Sequence, residues 1–421
     1  MAFNYEINQL ELMQARIKSV PHGWQFTYVG KAFCIRNNLR KPISEEERSM
    51  SPGNYPYYGP TKIQGYIGTF EQDGSYALIG EDGDHFLKFE KHSMTQLVDG
   101  KCTVNNHAHI IEGTKEASRE WFYYYFMHRD IFSFLSRQGA GRYKLNKASL
   151  EKMPLLLPPI VEQKKIAQIL STWDKAISVT EKLLTNSQQQ KKVLMQQLLT
   201  GKKRLLDDNG ARYSETWELY ALSQLFQRVT TKNNGKSTNV VTISGQYGLI
   251  KQEEFFKKSV ASDTLDGYFL LKKGQFAYNK SYSNGYPMGA IKRLNRYPEG
   301  VVTTLYICFE LSTHQELFGD YWEHYFESGL LNNSLSQIAH EGGRAHGLLN
   351  VKPSDFFSLK VLVPGFEEQQ KIAAVLSAAD AEISTLEKKL ACLKDEKKAL
   401  MQQLLTGKRR VKVDAEEAVS A

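Results

Sequence analysis

Glu162–Arg204 reads EQKKIAQILSTWDKAISVTEKLLTNSQQQKKVLMQQLLTGKKR, and Glu368–Arg410 reads EQQKIAAVLSAADAEISTLEKKLACLKDEKKALMQQLLTGKRR. The two stretches align without a gap at a constant offset of 206 residues and are identical at 25 of 43 positions. In the first copy Ile166, Leu170, Trp173, Ile177, Leu184, Leu194 and Leu198 recur at steps of three and four or their sums, one stripe along a helix. The second copy fills the same register with Ile372, Leu376, Ala379, Ile383, Leu386, Leu390, Leu393, Leu400 and Leu404. A spacing near 3.5 kept over about five heptads predicts a coiled-coil seam, so each helix needs a partner of similar length, and the other copy is the obvious one. Pro158-Pro159 and Pro364 stand just before the two starts, and Gly201 and Gly407 stand at the two ends, where a left-handed cap is favoured. About 40 residues at roughly 1.5 Å each make a rod of about 60 Å.

Each predicted helix follows an equally long segment of different character, so the repeat unit is a globule plus a rod, used twice. With 421 residues, 41% hydrophobic and 24% charged, the chain has the composition of two or three globular domains, and disordered and fibrous classes are excluded. The N-terminus lacks a basic region followed by an apolar one, and no run of 18 apolar residues occurs, so a cytoplasmic protein without membrane contact is expected. Cys34, Cys102, Cys308 and Cys392 show no Cys-x-x-Cys spacing, which argues against a disulfide framework or a zinc knuckle. The net charge of +8 points to a polyanionic partner. The first rod holds nine Lys/Arg against three acids and the second nine against six, so the rest of the chain is close to neutral. If nucleic acid is the ligand, the globules must recognise it with placed side chains while the rods add general attraction.

Residues 1 to about 20 predict a short helix with Ile7, Leu10, Met13 and Ile17 on one side. Up to Leu157 the chain then alternates short apolar runs with Gly, Asn, Asp and Pro: TYVGKAFCI, IQGYIGTF, YALIGEDGDHFLKF and KCTVNNHAHIIEG read as strands, with an aromatic helix near Glu120–Met127. A second globule opens with Thr216-Trp217-Glu218, echoing Gly23-Trp24-Gln25, and follows the same plan through VVTISGQYGLI, GYFLLKKGQFAYNKSY and GVVTTLYICFEL to a helix around Asp320–Phe326. The expected architecture is α+β and pseudo-two-fold: globule 1–157, helix 158–204, globule 205–360, helix 361–410 antiparallel to the first, and a disordered tail 411–421.

No catalytic set, metal set or cofactor loop emerges. Gly235-Lys236-Ser237 lacks the earlier glycine of a phosphate-binding loop, whose place is taken by Thr230, and Asn54-Tyr-Pro-Tyr57 lacks the second proline of an amino-methyltransferase motif. His107 and His109 form a close pair without a third ligand nearby. The polar loops are more informative. Tyr57, Tyr58, Thr61 and Lys62 combine aromatic faces with a hydroxyl and a cation for phosphate and base edges. Arg142 and Lys144 follow a glycine-rich approach suited to a sugar-phosphate backbone. Their counterparts in the second globule are Gln246 and Tyr247, then Asn279, Lys280, Tyr282 and Arg293, and finally Arg344 and His346. Asn279 and Gln246 have the amide that pairs with adenine, and Arg344 the fork that suits guanine or phosphate.

This layout resembles the specificity subunit of a Type I restriction-modification enzyme, in which target-recognition domains alternate with helices. The resemblance covers nearly the whole chain. It is carried by the helix starts Pro364–Ala373 and Pro159–Ala167, where Lys164 departs from the usual Gln, by the two Leu-Met-Gln-Gln-Leu-Leu-Thr-Gly-Lys ends, by Tyr278–Tyr282 and by Gly347–Val351. It implies a non-catalytic subunit in which each globule reads half of a bipartite double-stranded DNA target and the paired rods fix the unread spacer. It further implies two modification subunits docked on the rods through the Lys/Gln faces Gln188–Lys192 and Lys394–Lys398. These would bind S-adenosylmethionine and methylate adenine N6, the target base being flipped into their pocket. Restriction subunits using ATP and Mg would complete a prokaryotic, nucleoid-associated defence system against phage. Two other classes remain open on the residues alone: a stand-alone DNA methyltransferase or nuclease, and a coiled-coil scaffold that binds DNA without reading it.

Overall fold

The computed structural model describes residues 8–11, 13, 17, 19–138, 142–256, 264–339 and 349–413. The predicted N-terminal helix and tail therefore lie largely outside the described residues, although Leu10, Met13 and Ile17 are seen buried in the first core. The chain forms two compact units, Met1–Glu181 with Lys389–Ala421, and Lys182–Lys388. Both units are mixed helix and strand, the α+β class expected.

Two helices of 39 residues dominate, Ile160–Leu198 and Phe366–Leu404. Each begins within two residues of the prolines, and each ends in a cap built on a left-handed glycine. Lys203 N bonds Gln197 O at 3.0 Å around Gly201 (φ +69°), and Arg409 N bonds Gln403 O at 3.1 Å around Gly407 (φ +68°). The apolar stripe is tightly buried at its ends, at Ile166, Leu170 and Leu198, and at Ile372, Leu376 and Leu404. In the middle it is only half-buried, and the fully covered side chains between Leu170 and Met195 are Thr180 and Ser187. Two helices alone cannot enclose a seam; the globules enclose its ends.

In the first unit β1 (Gln25–Tyr28) is followed by β2 (Cys34–Ile35), β3 (Pro52–Tyr58), β4 (Ile63–Ile67), β5 (Gln72–Gly80), β6 (Thr95–Val104) and β7 (Ala108–Glu112). β2 to β7 form one six-stranded sheet in the order β2-β7-β5-β6-β3-β4, antiparallel except where Tyr57 and Tyr58 run parallel to Thr103 and Val104. Because successive strand side chains face opposite ways, β5 sends Ala77 and Ile79 into the main core and Leu78 into a smaller cluster with Val98, Val104 and Ile110. The stretches TYVGKAFCI and DHFLKF, expected as strand throughout, contain a helical turn at Val29–Ala32 and a 3-10 turn at Asp84–Lys88. In the first, Val29 N bonds Met153 O at 2.9 Å, an outside partner that stops the ladder.

A hairpin of β8 (Ser136–Gln138) and β9 (Arg142–Lys144) precedes β10 (Pro154–Leu157), which pairs antiparallel with β1 and leads into the first long helix. The aromatic helix Arg119–Phe126 is capped by Ser118, whose Oγ accepts from Trp121 N at 3.1 Å. It buries Trp121 edge-on against Trp24 at 5.5 Å.

The second unit uses shorter strands: β11 (Glu218–Ala221), β12 (Phe226–Arg228), β13 (Val241–Ser244), β14 (Gly248–Lys251), β15 (Phe269–Lys272), β16 (Phe276–Asn279), β17 (Ala290–Arg293), β18 (Glu299–Val302), β19 (Ile307–Leu311) and β20 (Lys360–Val363). Here the main sheet has four strands in the order β12-β19-β16-β17, with β13-β14 and β15-β18 as separate pairs. The helix Gly319–Glu327 buries Tyr321 and Trp322 against Phe226 and the long helices. β11 pairs with β20 at the root of the second long helix, as β1 does with β10 at the first.

Within each unit the same side chains fasten the globule to its helices. Trp24 Nε1 donates to Glu162 at 3.0 Å, and Trp217 Nε1 to Glu368 at 2.9 Å. Gln163 bonds Pro158 O and Ser118 N, and Gln369 bonds Pro364 O and Phe318 N. Lys397 reaches Asp174 at 2.5 Å and Lys191 reaches Asp380 at 2.5 Å. With Lys394–Glu181 in one unit and Ser187–Glu382 in the other, partners descend on one helix as they ascend on its mate, so each unit holds an antiparallel helix pair.

Candidate nucleic-acid interface

The β3–β4 hairpin turns at Gly59–Lys62, closed by Gly59 N to Lys62 O at 2.9 Å. A Cβ on Gly59 would lie 2.4 Å from Gln64 Cδ, so a larger residue there would have to displace the Gln64 side chain. Lys62 is exposed and Thr61 half-buried beside it. Tyr57, in contrast, is 1% exposed: its hydroxyl accepts from Ile43 N at 2.9 Å, and Arg48 stacks on its ring at 4.8 Å. It supports the sheet and offers no face to a base, because strand alternation turns it inward. Tyr58 is half-buried on the smaller apolar cluster, and burial raises its pKa above the ordinary tyrosine value. Tyr66, 57% exposed on β4, is the aromatic this hairpin presents; period-2 counting from the buried Ile67 would have found it.

On the β8–β9 hairpin Arg142 is exposed, and Arg137 lies over Tyr143 at 5.5 Å. Lys144 points instead to Glu81 at 3.2 Å. That carboxylate also pairs with Arg40 and lies 3.8 Å from His109. Burial works against its charge, but the Arg40 hydrogen bond and the neighbouring cations outweigh burial and hold its pKa below the usual range. Lys144 thus fastens the hairpin to the sheet. His109 is buried between Asn37 and Leu145 O, and His107 bonds Asp82 at 2.7 Å. No cluster of His, Cys, Asp or Glu suited to a metal occurs among the described residues.

In the second unit the β13–β14 turn exposes Gln246 and Tyr247, the latter by 52%. After β16, Asn279 Oδ1 accepts from Ser281 N at 3.1 Å in a side-chain-closed turn. Lys280 is half-buried, approaches Val351 O at 3.4 Å, and has its pKa lowered by burial. Tyr282 stands 65% exposed. Arg293 is committed internally: Nη1 bonds Asp320 at 2.5 Å, Nε bonds Gly274 O at 3.2 Å, and Glu323 lies 3.7 Å away. Arg344 and His346 lie outside the described residues. Tyr286, which residue chemistry did not single out, places its hydroxyl 3.0 Å from Gly245 O and so joins the turn at 245–247 to the loop carrying Tyr282.

The exposed set is therefore Lys62, Arg142, Gln246, Tyr247 and Tyr282, with Thr61, Tyr58, Asn279 and Lys280 half-buried behind it. Cations for phosphate and aromatic or amide groups for bases share short, glycine-bent loops, the chemistry of duplex recognition. The helix faces differ from expectation in one respect. Gln188–Gln190, Lys192 and Lys398 are exposed, but Lys191 and Lys397, and also the exposed Lys394, are turned to the acids of the neighbouring helix. Among the described residues no helix is long and apolar enough to cross a membrane.

Residues 21–186 match the family described as the Type I restriction modification DNA specificity domain. The Haemophilus influenzae protein named as specificity subunit S.HindORF215P is 38% identical over 136 residues, 32% of this chain and 34% of that one. The match thus spans about a third of that relative. The type I restriction enzyme MjaVIII specificity subunit of Methanocaldococcus jannaschii is 24% identical over 98% of both chains. The crystal structure of a Type-I restriction-modification S subunit from M. genitalium shares the fold with a TM-score of 0.58 at 14% identity, covering 93% of this chain and 96% of that one.

Proposed function

We propose that this chain is a specificity subunit of a type I restriction-modification enzyme, a reading supported by the matched domain and by the full-length similarity to such a subunit, and that it reads a bipartite duplex, with the first globule on one half-site and the second on the other. Recognition of a DNA target is the role of the matched domain, and the chain serves as a non-catalytic subunit. The observation that carries the half-site reading is the duplicated fastening of each loop-bearing globule: Trp24–Glu162 and Trp217–Glu368 hold two different reading surfaces on equivalent helix ends. Different loops on repeated roots are what independent recognition of two sequences requires. The helices then set the unread spacer between halves, in steps of a duplex that repeats about every 34 Å.

Two modification subunits dock on the exposed Lys/Gln faces of the helices and bring S-adenosylmethionine; restriction subunits bring ATP and Mg, and the assembly works in the cytoplasm. Among this chain's residues, Lys62 and Arg142 supply phosphate contacts, while Gln246, Tyr247, Asn279 and Tyr282 face bases. Methylation mapping of genomic DNA from cells holding this chain and a modification subunit tests this. Replacing residues 211–360 with another recognition domain changes one half-site only; a change in both halves refutes the modular reading. Methyl transfer by the purified chain alone would favour a stand-alone enzyme. Equal affinity for all duplexes at one salt concentration would favour a scaffold, since a specific site is bound about 10³-fold or more tighter.

A further inference from the structure

Three pieces of the second unit meet at one phenol. Tyr286 Oη donates to Glu327 Oε1 at 2.5 Å at the end of the helix Gly319–Glu327 and lies 3.0 Å from Gly245 O in the β13–β14 turn. It accepts from Lys292 Nζ of β17 at 2.8 Å. Lys292 also pairs with the second oxygen of Glu327 and is itself largely buried. The single phenolic proton serves two acceptors while the lysine fills the oxygen's lone pair. Burial first, and the Glu327 carboxylate second, push this phenol's pKa above the ordinary tyrosine range, so it remains a donor.

The backbone geometry is as specific as the hydrogen bonds. Ser283 and Tyr286 exchange two backbone bonds, Tyr286 N to Ser283 O at 2.9 Å and the return at 3.3 Å, which closes the loop that displays Tyr282. Gly245 is pressed against the Tyr286 ring: a Cβ there would lie 2.7 Å from Cε2. The next two residues are the exposed Gln246 and Tyr247.

We propose that Tyr286 is a positioning residue for base reading by the second unit. Its hydroxyl, set by Glu327 and Lys292, ties the turn at 245–247 to the loop at 281–286, so that their exposed side chains meet DNA at one fixed separation. This rests on the DNA-reading function proposed above. Two untied loops would each lose freedom on binding, which weakens association. Contacts to base edges demand fixed geometry, whereas phosphate contacts tolerate displacement, so untying the loops weakens sequence discrimination and spares general affinity.

The test uses this chain assembled with its modification subunits, and duplexes with an intact site, with either half-site scrambled, or of random sequence. Tyr286→Phe removes only the hydroxyl. It is expected to lose about 10-fold in discrimination at the second unit's half-site, the order of one hydrogen bond in a charged network. Discrimination at the other half-site, affinity for random DNA and its salt slope stay unchanged. Amide exchange quickens together in 245–247 and 281–286. Gly245→Ala, which wedges the turn off the ring, gives the same pattern without touching the hydroxyl. Wild-type discrimination retained by both variants, or lost equally at both half-sites, overturns the positioning role and leaves DNA reading intact. A wild-type complex that does not discriminate overturns the DNA reading and this role with it.

Discussion

Arg410 closes a forked ion pair on Glu162, Nε to Oε1 at 2.7 Å and Nη2 to Oε2 at 2.8 Å, and the carboxylate it meets is 4% exposed. The repeat of that pair 206 residues away, Arg204 on Glu368 at 2.6 and 2.7 Å, has the same buried acid, and each arginine also lies over the tryptophan that bonds that acid, at 5.7 and 5.8 Å. In each unit the first turn of one helix is thus locked to the residues just past the cap of the other.

Removing the arginine leaves a buried carboxylate with only the indole as donor. Arg410→Ala is expected to destabilise the protein by about 2 kcal/mol, at the low end for a broken buried pair because the outer side of Arg410 is solvated and screened. Arg204→Ala should cost about as much or slightly more, since Arg204 is the less exposed of the two. Urea denaturation of the two variants checks this, with Glu162→Gln, Arg410→Met and their double variant alongside; a double variant no better than the sum of those two singles would deny the coupling.

The two cap glycines should not tolerate alanine equally. Both sit at positive φ, but a Cβ at Gly407 would lie 2.3 Å from Pro21 Cγ, whereas at Gly201 the nearest atoms belong to Trp217 at an ordinary 3.5 Å. Gly201→Ala therefore meets conformational strain alone, about 1 kcal/mol. Gly407→Ala adds a collision and should be clearly the worse in a comparison of thermal midpoints.

Acid should weaken the first unit before its carboxylates titrate. Burial lowers the pKa of His85 to about 4, against the pull of Asp82 and Asp84, and its Nε2 is buried without a hydrogen-bond partner. An unfolded histidine takes up its proton near 6.5. Between those values the unfolded state binds more protons, so stability is unaffected above about 6.5 and falls as pH drops toward 4. His85→Gln should flatten that part of a midpoint-versus-pH curve. A residual slope is expected from His109 and His128, whose pKa values burial also lowers.

Exposed and internally paired cations should separate in binding experiments. Lys62→Ala and Arg142→Ala are expected to weaken all duplexes alike, each reducing the salt slope by about one. Arg293→Ala should instead lower the stability of the second unit, because it removes the partner of Asp320, and should leave sequence preference unchanged. Filter binding across a salt series, with denaturation alongside, distinguishes the two kinds.

The helix pair and the duplicated plan were legible in the chain because heptad periodicity, prolines before the starts and glycines after the ends are local signals that any long amphipathic helix must carry. The loops proposed to meet DNA stand out in the sequence by their Gly, Tyr and Asn content, but their individual side chains' roles do not. Tyr57, Lys144 and Arg293 have the chemistry of contact residues, yet folding turned them to Ile43 N, Glu81 and Asp320. Tyr286 has the same side chain as Tyr282 and the opposite fate, fixed by where Lys292 stands on the next strand and where Glu327 arrives from a helix 41 residues further on. Sequence by itself determined the repeat and the helices, since these follow from pattern along the chain. Tertiary structure alone decided which polar side chains remain free for a ligand, because burial and ion pairing depend on neighbours that are remote in sequence.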